Sequence, residues 1–227
     1  MRVLDLATGP GYAAARAAER GATVVGVDIA PSMVRLARHL HPTLDFREAD
    51  AEGLPFQDGS FDGAVSNFLI PHLGRHARVV SELVRVLRHD GWVSLTTWDF
   101  PERMRLFGVF LDAFALAGAT APDDIPVGPP FFRFADDEQF IALLSDNGLT
   151  DVDVSTVAFS YPTDSADQLW EGMLTGTVRT SAFFLGQPEE IRRRVRSTFD
   201  RLVLDYRRGE NFEWPVSVKL ARARKAG

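Results

Sequence analysis

The 227-residue chain contains no cysteine, which removes disulfides and thiolate metal sites and leaves no redox signature of a compartment. Only two of its basic residues are lysines, Lys219 and Lys225, a bias that codon usage explains without any functional demand. Positive charge is itself in deficit, with 25 Lys and Arg against 31 Asp and Glu and a net charge of −6. Such a surface is poorly suited to gripping nucleic acid, which needs clustered cations. No apolar run approaches the roughly 20 residues that cross a bilayer, and no signal-like segment precedes the first strand-like run. These absences lead to the expectation of a cytoplasmic protein with no nucleic-acid partner and no membrane span. What is present is a 45% hydrophobic chain, enough for a single full-sized domain over residues 1–227.

Short β-branched runs alternate with helix-prone segments along the first hundred residues. Val3–Leu6, Thr23–Asp28, Leu44–Ala49, Phe61–Asn67 and Gly91–Thr97 read as strands. Tyr12–Arg20, Pro31–His39 and Ala77–Leu87 read as helices, Pro31 suiting a first helical turn. This rhythm means a doubly wound, mostly parallel α/β sheet, which takes ligands beyond the carboxyl ends of its strands. After Phe100 the rhythm changes to a helix-prone stretch and a Pro/Gly segment at Pro122, Pro126, Gly128, Pro129 and Pro130. A capped helix over Asp136–Asn147, a strand over Val152–Tyr161, a helical segment over Ser165–Arg208 and a last strand over Trp214–Arg222 follow.

Gly9-Pro10-Gly11 directly after the first strand is the first feature with chemical content. Glycine admits backbone angles other residues resist and lets a ligand approach the main chain. Gly9-Pro10-Gly11-Tyr12-Ala13-Ala14 also fits the G-x-G-x-x-G/A dinucleotide pattern, so an NAD(P)-dependent oxidoreductase stays in view. Asp28 closes the second strand, where a carboxylate can accept from both ribose hydroxyls; its plainer reading is a cap for the Pro31 helix. Asp50 follows the third strand, where it can accept from an adenine amino group while the Ala51 N–H donates to a ring nitrogen. Against hydride transfer, there is no Tyr-x-x-x-Lys pair.

Four segments together resemble the successive motifs of class I S-adenosylmethionine-dependent methyltransferases. They are Val3–Gly11, Gly26–Met33, Ala49–Phe56 and Ser60–Asp62, with Arg85–Trp92 resembling the helix and turn before the fifth strand. The likeness is to the small-molecule subgroup similar to ubiquinone/menaquinone-biosynthesis enzymes. It implies a Rossmann-like, seven-stranded sheet of order 3-2-1-4-5-7-6 with helical cap insertions. It further implies that residues 1–100 bind S-adenosyl-L-methionine, with residues 101–135 and 162–210 as acceptor-binding or cap segments. By the same likeness Ala7, Gly9 and Gly11 line the methionine end, with Asp5 supporting the loop or reaching the amino group through water. Asp28 holds the ribose, Ile29 and Met33 pack on the adenine, and Asp50 and Ala51 read its edge. Asn67 and Phe68 lie near the methyl donor.

A sulfonium methyl is already activated, so alignment behind it is the main catalytic demand. His72, just past the fourth strand, is the candidate general base, set against a packing role; His39, His41, His76 and His89 read as surface or turn residues. Phe107, Phe110, Phe114, Phe131, Phe132, Phe134, Trp170, Met173, Phe183 and Phe184 are candidate walls for an apolar acceptor, or ordinary core. The family usually carries helices before its first strand, whereas here that strand begins within three residues of Met1. The expectation is a later recorded start, or a lid from Ser165–Arg208 or a second subunit, hence a homodimer. A cofactor-binding protein with little or no catalysis is the second functional reading.

Overall fold

The computed structural model describes residues 1–121 and 130–227, so Pro122, Pro126, Gly128 and Pro129 fall outside the described residues. Val3, Leu4 and Leu6 are almost fully buried, as a parallel strand covered on both faces should be. They belong to β1 (Arg2–Leu6), which pairs in parallel with β2 (Thr23–Asp28) and with β4 (Phe61–Asn67). β2 pairs in parallel with β3 (Asp45–Glu48), and β4 with β5 (Leu87–Trp98). With β6 (Leu149–Thr163) and β8 (Asn211–Lys225), the order is β3-β2-β1-β4-β5-β8-β6. This is the expected 3-2-1-4-5-7-6 path with one strand added. The addition, β7 (Arg207–Arg208), folds back antiparallel on the start of β8 around Gly209 at φ 65°; two residues are too few to leave a readable alternation.

Because β1 sits between β2 and β4, the winding reverses there, and the carboxyl ends of β1 and β4 flank the switch point where such sheets take ligands. The helices end where local chemistry stops them. α1 (Tyr12–Glu19) is rich in alanine, and α2 (Pro31–Leu40) opens on Pro31. α3 (His76–Val86) precedes β5. α4 (Arg105–Ala117) stops at Gly118 in the left-handed region, φ 73°. α5 (Asp137–Ser145) is capped by Asp136, which accepts from the Gln139 N–H at 2.9 Å. The helical segment after Ser165 divides into α6 (Ala166–Gly176), α7 (Val178–Leu185) and α8 (Glu189–Leu202).

The described residues form two compact units. The first, residues 1–98, 130–156 and 219–227, holds β1–β5, α1–α3, α5 and one end each of β6 and β8. Its core gathers Leu4, Leu6, Val27, Phe61, Leu83 and Leu95. The second unit, residues 99–121 and 157–218, is built on α4, α6, α7 and α8. In its interior Phe110 stacks on Trp170 at 5.5 Å and lies 4.8 Å from Phe199. The indole N–H of Trp214 donates to the Thr163 hydroxyl at 2.9 Å. Phe110, Phe114, Trp170 and Met173, weighed above as acceptor walls, are packed core of this unit. Phe134 is core of the first unit, against Phe140 at 6.1 Å. Aromatics at helical spacing have here followed the apolar face inward.

Gly11 opens α1 at φ 86°, and a Cβ there would fall 2.7 Å from Cζ of buried Phe46. Gly11→Ala is therefore expected to cost roughly 2–4 kcal/mol from backbone strain and overpacking together. Phe46→Leu should recover part of that loss, so in a denaturation double-mutant cycle the pair costs less than the sum of the singles.

Candidate functional site

Two residues with side chains leave their strands in the left-handed region: Ala7 after β1, φ 56°, and Phe68 after β4, φ 60°. Each such residue costs about 1–2 kcal/mol, and backbone of this kind persists where surrounding structure enforces it, often at binding sites. Both follow strands that flank the switch point. The intervening loop is tied down by Asp5, 1% exposed inside β1. Its Oδ2 accepts from the Thr8 hydroxyl at 2.6 Å and from the Ala14 N–H at 2.9 Å. One carboxylate thus binds the turn of the loop to the first turn of α1. Burial pushes its pKa up to about 6; the Thr8 and Ala14 bonds oppose that, and the charge of Asp28 adds to it.

Asp28 Oδ2 accepts from the Gly9 N–H and its Oδ1 from the Ala30 N–H, each at 2.9 Å. It does not cap α2, whose cap position is Ala30 with no side-chain bond. A carboxylate has about four acceptor positions, so two remain for a ligand. Gly9 has φ 53° and open space where a Cβ would stand, unlike Gly11. The two glycines of one motif differ in surroundings, Gly9 facing open space and Gly11 packed against Phe46.

A cleft of about 280 Å³ is lined by Leu6, Ala7, Asp28, Ile29, Ala49, Asp50, Ala51, Glu52, His72, Leu73, Gly74 and Arg75, near the lower end of the ~300–1,000 Å³ usual for small-molecule sites. It brings together six of the expected residues: Ala7, Asp28, Ile29, Asp50, Ala51 and His72. Asp5 lies beneath the loop. Gly9, Gly11, Met33, Asn67 and Phe68 do not line it. Met33 is 38% exposed on α2, Asn67 Oδ1 accepts from the Thr96 hydroxyl at 3.1 Å, and the Phe68 ring stacks on Trp98 at 3.8 Å. The donor set suits an adenosyl group. Asp28 and Asp50 offer carboxylate oxygens, and the Ala51 N–H has no acceptor among the described residues.

The family model described as Methyltransferase domain matches residues 4–95. Over those residues the chain is similar to a methyltransferase domain. An uncharacterized protein of Mycobacterium bovis is 33% identical over 155 residues, 66% of this chain and 54% of its own length. A demethylmenaquinone methyltransferase of Beutenbergia cavernae is 34% identical over 128 residues, 55% of this chain and 53% of its own. The chain thus spans about half the length of the curated relatives it matches. A phosphoethanolamine N-methyltransferase 2 of Haemonchus contortus, in complex with S-adenosyl-L-methionine, shares the fold at a TM-score of 0.55 and 19% identity, over 100% of this chain and 49% of that one. Among the described residues no helix is long and apolar enough to cross a membrane.

His72 ends a 3-10 turn, Ile70–His72, with its ring edge-on to Phe131 at 5.6 Å. His76 and His41, expected at the surface, are half-buried. α3 turns the His76 ring onto Phe134 at 4.8 Å, and burial lowers its pKa. His41 packs edge-on to Tyr12 at 5.9 Å.

Glu82, which sequence reasoning passed over, is 6% exposed. Hydrogen bonds from Arg85 hold its carboxyl below the usual range against the effect of burial, and the Leu54 N–H adds to that. Its sequence signals were the i,i+3 spacing to Arg85 and the i,i+4 spacing from Arg78. Glu52, Leu73, Gly74 and Arg75 also line the cleft without having been singled out, since loop positions carry no periodic signal.

The Asp5 pKa sets a pH dependence of known sign. The folded chain holds a proton on Asp5 that the unfolded chain releases near the ordinary value of 3.8. Stability therefore falls as pH rises from about 4 to about 6, and the burial cost is complete above that window. Asp5→Asn keeps an acceptor for Thr8 and Ala14 but cannot ionise. Chemical denaturation across this window should show the wild type losing stability relative to Asp5→Asn, with a ceiling of about 3 kcal/mol on the swing.

Proposed function

We propose that this chain transfers the methyl group of S-adenosylmethionine to a small acceptor of apolar or aromatic character by in-line displacement. The observation that carries this reading is the set of polar groups at one cleft of a region similar to a methyltransferase domain: two carboxylates with spare acceptor capacity and a backbone N–H with no acceptor among the described residues. S-adenosylmethionine, when bound, supplies a sulfonium methyl that needs no further activation. The chain has to hold, orient and shield.

In this proposal Asp28 accepts from the ribose hydroxyls, Asp50 from the adenine amino group, and the Ala51 N–H donates to a ring nitrogen. Ile29 and Met33 pack on the adenine. Ala7 and Gly9 let the methionine end approach the main chain, with Gly11 keeping the loop close against Phe46, and Asn67 and Phe68 attend the methyl end. His72 takes the proton of an oxygen or nitrogen nucleophile. Holding the acceptor in line converts a bimolecular step to an effectively unimolecular one, where up to about 7–11 kcal/mol of barrier is at stake. The name of the Beutenbergia relative supports an apolar, ring-bearing acceptor. Residues 101–135 and 162–210 are our assignment for acceptor binding.

Calorimetry with S-adenosylmethionine and S-adenosylhomocysteine tests the cofactor, and transfer of labelled methyl to phenols, quinones and amines tests the chemistry. Binding with Kd in the range of about 1 µM to 1 mM is expected, with label on the apolar ring compounds. His72→Asn should lower turnover by about 100-fold or more while leaving S-adenosylhomocysteine affinity nearly unchanged. Methylation confined to polar metabolites overturns the acceptor class. Cofactor binding without turnover on any acceptor favours a binding protein.

A further inference from the structure

Side chains, not a strand ladder, hold the loop that follows β3. Leu54, at its centre, has its N–H satisfied by Glu82 Oε2 at 2.8 Å and its carbonyl by Arg85 Nη2 at 2.9 Å. Arg85 donates twice to Glu82, at 2.9 and 2.8 Å, and once to the Phe56 carbonyl at 2.6 Å. Arg78 Nε adds a bond to the Glu52 carbonyl at 2.9 Å, and Arg75 forms an ion pair with Glu52. α3 and the residue before it thus grip the loop at residues 52, 54 and 56.

The start of the same loop forms part of the cleft wall through Asp50 and Ala51. Asp50 Oδ1 accepts from the Glu52 N–H at 2.9 Å, which fixes the carboxylate relative to the gripped segment. Neither Glu82 nor Arg85 lines the cleft. A buried backbone without ladder partners must find its hydrogen bonds elsewhere, and a bidentate arginine fork supplies them at a defined geometry.

We infer that the Glu82–Arg85 pair is a positioning device that sets the base specificity of the cofactor cleft. It rests on the cofactor reading above and adds the residues that enforce it. By fixing both backbone groups of Leu54, the pair fixes where the Asp50 carboxylate and the Ala51 N–H stand. An adenine edge presents an amino donor beside a ring-nitrogen acceptor, which this acceptor–donor pair complements. A hypoxanthine edge presents a carbonyl acceptor beside an N–H donor, the reverse pattern. Discrimination of this kind is strong only while the protein groups cannot withdraw, because the wrong base then leaves them unpaired.

The test is calorimetric titration of the full chain with S-adenosylhomocysteine and with S-inosylhomocysteine, in the wild type and in Glu82→Gln, Arg85→Lys and Arg78→Ala. The wild type should prefer the adenosyl ligand by more than about tenfold. Glu82→Gln and Arg85→Lys should weaken the adenosyl ligand about tenfold and leave the inosyl ligand unchanged, so the ratio collapses. Arg78→Ala, at an exposed position, should lower the ratio less and keeps the readout if the buried pair is needed for folding. Equal weakening of both ligands, or a ratio preserved in all variants that fold, overturns this inference alone. Failure of the wild type to bind either ligand overturns the cofactor reading and the inference with it.

Discussion

A carboxylate in almost complete burial anchors everything else at the switch point. Asp5 sits inside the central strand, where burial pushes its pKa up to about 6, and that cost is tolerated because two bonds from the next loop and helix converge on it. They set the exit of β1. The left-handed Ala7 and the open Gly9 follow from that exit, and the Gly9 N–H then meets Asp28 at the end of β2. A chain of short hydrogen bonds therefore ties the ends of two neighbouring strands to one loop. These bonds define the loop's backbone without a ligand, and preorganisation of that kind lowers the ordering cost of binding.

The second wall of the cleft is organised on a different principle. The loop after β3 has no ladder to satisfy its backbone, so α3 reaches across with Glu82 and Arg85. A carboxylate and a guanidinium taken from water are a poor source of net stability, but their directional bonds define where a backbone stands. The first wall is thus set by main-chain turns and the second by a side-chain ion pair, and a polar ligand lying between them meets both.

Much of the fold was legible because it is local. β-branched runs, alanine-rich helices and Pro31 at a helix start all act within a few residues, and the family resemblance added a sheet path that the structure follows except for the two-residue β7. Of the residues read as a site, six meet in one cleft. Others were harder to place, because Met33, Asn67 and Phe68 depend on how side chains turn relative to a neighbouring element. The aromatics of α4 and α6 were ambiguous in principle, since helical spacing describes a pocket wall and a core equally well.

The sequence by itself determined the alternation of strands and helices, the glycine loop after β1 and the acidic residues closing β2 and β3, since periodicity and short spacings encode them. Tertiary structure alone decided that Gly11 yields to Phe46 while Gly9 faces open space, that His76 turns inward, and that Glu82 governs a loop 28 residues upstream. These outcomes belong to pairs of groups far apart along the chain. No local pattern carries them, because a carboxylate on a helix face looks the same in sequence whether it meets water or a backbone N–H.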